Sequence, residues 1–171
     1  MSYYSRNLLL AISLASKHHK ETPFITRPIA IAQSISDAWI YDEDIWIAAI
    51  LRKIDQQMVP LEKIEEIFGT KVKAMIIELS SDKGTAKSLR KKMQIINAKT
   101  MSYGAKCVRL ATILNKLSES ENLEYLVWVK ALVNNLRGCS LELEDKIDDI
   151  LNKSIPECDL SQMLKNYFDS L

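Results

Sequence analysis

The sequence predicts an all-α fold, a compact domain of about ten helices. Three observations predict it. Apolar residues recur at three- and four-residue spacing along almost the whole chain, the period of a helix packed on one side. Glycine and proline number only 4 each among 171 residues, too few for a loop-rich or strand-rich design. No segment sustains the alternation of a half-buried strand, and no internal repeat is evident.

Taken in order, Leu8, Ile12 and Ala15 form the stripe of a first helix that runs to about Lys20. Thr22 and Pro23 interrupt it, and Pro28 sits where a second helix begins, followed by Ile29, Ala32 and Ile35. Asp42 is an N-cap, with Glu43 and Asp44 placed against the positive end of the third helix. Residues 45–51 of that helix are apolar on every side, so it is expected to be buried over most of its surface. Pro60 starts a fourth helix, with Leu61, Ile64 and Ile67 on one face, and Gly69 stops it. Thr70 caps a fifth carrying Val72, Met75, Ile76 and Leu79. After a polar break at 80–84, a basic helix holds Lys87, Arg90, Lys91 and Lys92. Residues 102–117 and 121–136 supply two strong helices, the second closed by Gly138. Helices at 141–151 and 160–168, separated by Pro156, finish the chain. Residues 1–153 are read as one domain, and 154–171 as a helical extension that packs on it or on a partner.

Composition excludes several functional classes. A net charge of +1 gives no global field that would steer the chain to nucleic acid or a membrane surface. No stretch approaches the ~18 apolar residues of a membrane span, and the N-terminal apolar run lacks a signal-peptide pattern. Cys107, Cys139 and Cys158 are odd in number and far apart, which suits reduced thiols in a cytoplasmic protein, with Cys107 in the core.

An ordered series of local patterns carries the functional argument. It runs Leu14-Ala15-Ser16-Lys17-His18, Thr22-Pro23-Phe24-Ile25-Thr26-Arg27-Pro28-Ile29, Ala48-Ala49-Ile50-Leu51, Ile67-Phe68-Gly69 and Glu78-Leu79-Ser80-Ser81-Asp82-Lys83. Then come Arg90-Lys91-Lys92-Met93-Gln94, Ala105-Lys106-Cys107-Val108-Arg109-Leu110-Ala111 and Leu114-Asn115-Lys116-Leu117. This series resembles the hydrolase domain of RelA/SpoT proteins, a helical domain of the HD superfamily. Within that family it is most similar to the small, single-domain Mesh1-type alarmone hydrolases. The resemblance implies a domain that binds one divalent metal, usually manganese, and removes the 3′-pyrophosphate from guanosine tetra- or pentaphosphate (ppGpp and pppGpp). In such a site imidazoles and carboxylates hold the ion, which acidifies a bound water and neutralises phosphoryl oxygens.

The sequence departs from that pattern at the metal positions. Arg27 stands at the first His, Arg52 and Lys53 at the His-Asp pair, and Thr112 at the later Asp. Gln56 and Gln57 stand where the resemblance implies the catalytic Glu-Asp pair. Cations repel a divalent ion, so the expectation is a chain without a cofactor, the family's Mn2+ absent, and without alarmone hydrolysis. Residues that the resemblance associates with the nucleotide are better kept: Asn115, Tyr125 and, in the basic helix, Lys92. The basic loop after the first helix is shortened to His19-Lys20-Glu21.

Two outcomes are open for the cations. Arg27, Arg52 and Lys53 replace the metal and hold phosphate by charge-assisted bonds, or they pair with Asp55 or simply reach water. Arg90, Lys91 and Lys92 read as a solvated helix face, His18 and His19 as helix-end imidazoles, and Trp39, Trp46 and Trp128 as core or interface packing. Three functions follow as expectations. The first is a catalytically inactive homologue that binds a phosphorylated guanine nucleotide, phosphate or a protein partner. The second is a residual or altered phosphohydrolase, and the third a structural homodimeric module. Neither membrane nor nucleic acid is an expected partner.

Overall fold

The computed structural model describes residues 3–18, 23–54, 56–57, 59–81, 84–117, 122–155 and 165–167. Among them every regular element is a helix: α1 Tyr3–His18, α2 Pro23–Asp37, α3 Glu43–Leu51, α4 Leu61–Phe68, α5 Thr70–Leu79, α6 Lys87–Ala98, α7 Tyr103–Leu117, α8 Leu123–Asn134 and α9 Leu141–Ser154. Residues 165–167 add one further helical turn, while the rest of the helix expected at 160–168, with His19, Lys20, Glu21, Asp55 and Cys158, lies outside the described residues.

The short α3 is the axis of the fold. Ile45, Ile47, Ala48, Ala49, Ile50 and Leu51 are all buried, which is what a helix apolar on every side requires. It packs against α1, α2, α5 and α7. Its side chains divide between two cores. One gathers Ile45, Ala48 and Ala49 with α2, α7, α8 and α9; the other gathers Ile47, Ile50 and Leu51 with α1, α4 and α5. Asp42 caps α3 as expected, its carboxylate accepting from the Asp44 N–H at 3.0 Å. Asn122 and Ser140 do the same for α8 and α9.

Three local expectations are corrected. Pro28 does not begin α2 but lies inside it, because Pro23 already takes the first helical position, where a missing N–H costs nothing. Thr70 does not cap α5. Gly69, at φ +91°, both ends α4 and precedes α5, so the chain reverses in one residue and Thr70 falls inside the helix. Trp39 is no core residue: it is 75% exposed and adopts φ +62° just past α2. The Ile40 N–H donates to the Ile35 carbonyl at 3.2 Å across it, a helix-ending turn usually made with glycine. Trp46 is half-buried and Trp128 buried.

Candidate anion-binding site

α2, α3 and α7 meet side by side, and each delivers one of the positions singled out above. Arg27 sits near the start of α2, on its exposed side. Arg52 is the C-terminal cap of α3, its backbone N–H donating to Ala48 at 2.9 Å, so the long side chain leaves a fixed point. Lys53 follows in the turn. Thr112 lies on α7, its hydroxyl donating to the Val108 carbonyl at 2.7 Å.

Electrostatics identify Arg27, Arg52, Lys53, Arg109 and Lys116 as one group. Burial pushes the Arg52 guanidinium down to about 10, and the positive charges of Arg109 and Arg27 push the same way. Lys53 is lowered by burial, then by Arg52, Arg27 and Lys116. Arg109 is lowered by burial, while it donates to the Leu79 carbonyl at 3.3 Å. Burial and the neighbouring cations all disfavour the charges of Arg52 and Lys53, and no described carboxylate relieves them. The Arg52 Nε is buried and has no hydrogen-bond partner among the described residues. A buried cationic donor without an acceptor is costly, and an anion entering the group would remove that cost.

The other singled-out residues divide. Asn115 on α7 donates to Ser34 Oγ at 2.8 Å and to the Ala111 carbonyl at 2.9 Å, tying α7 to α2 beside the cations. Tyr125 joins the group through Lys116, whose ammonium lies 4.4 Å from the ring centroid, and burial raises its phenol to about 12. Lys92 is not brought in: it lies on α6, which packs chiefly on α8. Beside it, Lys91 is no solvated charge, for it pairs with Glu124 at 2.6 Å. Gln56 and Gln57 are exposed in the turn after α3. Arg109 and Lys116 belong to the group but were not singled out from sequence. With Thr112 they fall at three- and four-residue steps along α7, and that spacing was the available signal.

The family's four metal-ligand positions do not fit a divalent ion. Three are cations, the fourth is a hydroxyl engaged with its own helix, and no group of three or more His, Cys, Asp or Glu forms a metal cluster among the described residues. No helix among them is long and apolar enough to cross a membrane.

Comparison with known proteins adds the following. The HD domain family matches residues 6–148. A Drosophila melanogaster protein, guanosine-3′,5′-bis(diphosphate) 3′-pyrophosphohydrolase MESH1, is 33% identical over 150 residues, which cover 80% of this chain and 84% of that one. The human protein of the same name is 29% identical, covering 90% and 97% respectively. A solved structure, described as a metazoan orthologue of SpoT that hydrolyses ppGpp, superposes with a TM-score of 0.80 at 29% identity, covering 90% of this chain and 98% of that one.

These matches correct the expectation of a chain with no cofactor. The HD hydrolases among which its relatives fall are metal-dependent, so independence from Mn2+ is not a property this chain can be assigned. The physical reason is that replaced ligands remove donors from the protein only. A divalent ion can also be carried by the phosphates of a substrate.

Proposed function

The chain belongs to the HD domain family, and from that premise we propose that it binds a phosphorylated guanine nucleotide at the α2–α3–α7 cations without hydrolysing it. The observation that carries this reading is the buried Arg52 Nε, unpartnered among the described residues and pressed by Arg27 and Arg109. A phosphate oxygen supplies both the missing acceptor and the missing negative charge. Arg27, Arg52 and Lys53 grip the phosphates, and Tyr125 with Lys116 borders the same group. Gln56 and Gln57 cannot serve as general bases, because a carboxamide does not take up a proton at neutral pH. The same reading treats residues 1–153 as the binding domain and 154–171 as its extension, in keeping with the family match over 6–148.

A second reading, a residual or altered phosphohydrolase, is favoured by the identity to proteins named as pyrophosphohydrolases. One experiment separates the two. The purified protein is titrated calorimetrically with guanosine tetraphosphate, GDP and pyrophosphate, with and without manganese, while pyrophosphate release is followed in parallel. The expected result is saturable binding without release, weakened roughly 10- to 100-fold in Arg52→Met, the worth of one charge-assisted bond. Sustained release with manganese establishes the second reading, and absence of heat at millimolar ligand removes the first.

A further inference from the structure

α6 carries an apolar stripe that the described fold leaves uncovered. Leu89, Met93 and Ile96 are 49%, 44% and 53% exposed, and their spacing puts them within about 60° of one another around the helix axis. The stripe runs about 10 Å along α6. The opposite side of the helix is anchored. Ile95 and Ala98 are buried, and the carbonyls of Lys91 and Ile95 accept from Trp128 Nε1 at 3.3 Å and Asn135 Nδ2 at 2.9 Å. α8 thus holds α6 in one orientation, with the stripe turned outward. Cations line both edges of it. Lys92 and the C-cap Lys99 lie about 40–60° beyond Ile96, and Arg90 lies about 60° beyond Met93. Residues 83–118 contain no Asp or Glu, and Glu124 of α8, which reaches this helix, is taken up by Lys91 at 2.6 Å. The net charge of +1 for the whole chain averages this local excess away.

We propose that this face of α6 rests on the surface of an anionic phospholipid bilayer. The three apolar side chains enter the boundary between headgroups and acyl chains, and the flanking cations meet lipid phosphates. Charge sets the sign of the occupant, since a cationic rim without a carboxylate calls for an anionic surface. A second copy docked α6 to α6 would set like charges against each other. Lysine supplies two of the three rim residues, and lysine is depleted from protein–protein interfaces. At a bilayer surface the same residue is favoured: its aliphatic stem lies along the apolar boundary while the ammonium stays with the phosphates, each charge worth about fivefold in partitioning. A helix lying in the interface has no need to span it, so the lack of a membrane-crossing helix among the described residues bears on spanning and not on this contact. Three apolar side chains and three cations give reversible attachment rather than a permanent anchor.

The test is flotation of the full chain with vesicles of phosphatidylcholine alone and of phosphatidylcholine with about 30% phosphatidylglycerol, at about 0.05 M and about 0.5 M salt. The expected result is binding to the anionic vesicles only, at low salt only. Lys92→Glu with Lys99→Glu should weaken it at least about 10-fold. Met93→Gln with Ile96→Gln, both at exposed positions, should also weaken it roughly 10-fold, a loss that charge attraction alone does not produce. Circular dichroism checks that each pair folds, and if one fails the other decides. Arg52→Met should bind vesicles like the unaltered chain, which keeps this surface distinct from the proposed nucleotide site. The proposal is overturned by no binding to anionic vesicles at low salt, by equal binding to uncharged ones, or by binding that Arg52→Met abolishes. It is equally overturned by binding that the Met93→Gln and Ile96→Gln pair leaves intact, or by a dimer in light scattering that this pair dissociates.

Discussion

At the α8–α9 turn the Glu144 carboxylate, 4% exposed, accepts three backbone N–H bonds and has the Arg137 guanidinium at 3.7 Å. At the end of α3 the Arg52 guanidinium is also largely buried, yet its Nε meets no described acceptor and its charged neighbours, Arg27 and Arg109, carry its own sign. Both groups bear a charge the fold has removed from water. One is answered from within the chain, and the other meets no acceptor among the described residues. On the proposed reading, the difference separates a charge that builds the structure from one that an incoming phosphate would satisfy. An internally satisfied ion is a structural joint, whereas an unsatisfied one is tolerated only while some benefit offsets its cost.

The comparison predicts effects of opposite sign. Glu144→Ala should be the most damaging, since it strands three donors at once in a turn that also positions Cys139. A loss of about 3–5 kcal/mol is expected, on the order of 10 °C in melting temperature, measured by thermal or urea unfolding. A loss under about 1 kcal/mol would show that the turn holds itself without the carboxylate.

Arg52→Met should act the other way, leaving stability unchanged or raising it by about 1–3 kcal/mol while abolishing any stabilisation by added pyrophosphate. The pH sign follows from the lowered guanidinium. Arg52 is charged in the fold below about 10, and in the unfolded chain up to its ordinary 12.5. Its penalty is therefore complete below the folded value and lifts only as pH climbs from there toward the unfolded one. The gain in Arg52→Met should accordingly be flat between about pH 6 and 9, as urea titrations at several pH values would reveal. A marked stability loss would mean that Arg52 has a structural acceptor after all.

The smallest effect belongs to Ser140→Ala beside Glu144. It removes the α9 cap, in which the serine hydroxyl accepts from the Leu143 N–H at 3.4 Å, and should cost about 1 kcal/mol in equilibrium unfolding. A cost equal to that of Glu144→Ala would mean that cap and carboxylate act as one unit.

The sequence revealed what repeats and hid what depends on a single turn. The burial of α3 was legible because residues 45–51 leave no polar side to face water, and Asp42 announced its start. The outward Trp39 was not, because a left-handed backbone at a helix end is set by the turn rather than by the side chain's preference for burial. Nothing in the sequence marks Glu144, since the three N–H groups that draw it in come from the preceding turn. Arg27, Arg52 and Lys53 stood out only through the family resemblance. Arg109 and Lys116 passed unnoticed because pattern reading treats a charged residue as solvent-facing; the packing of α7 against α2, α3 and α5 buries Arg109, while Lys116 stays exposed and lies over the Tyr125 ring.

The three tryptophans make the molecule its own optical gauge. Trp39 stands in water at 75% exposure, whereas Trp128 is 8% exposed and lies 5.5 Å, centre to centre, from the Tyr125 ring that covers Lys116. Red-edge emission open to iodide quenching therefore reports Trp39, and the blue, shielded component contains Trp128 beside Tyr125 together with the half-buried Trp46. A change in the ratio of the two colours on adding pyrophosphate is the signal expected if the proposed site fills, and it needs no attached dye.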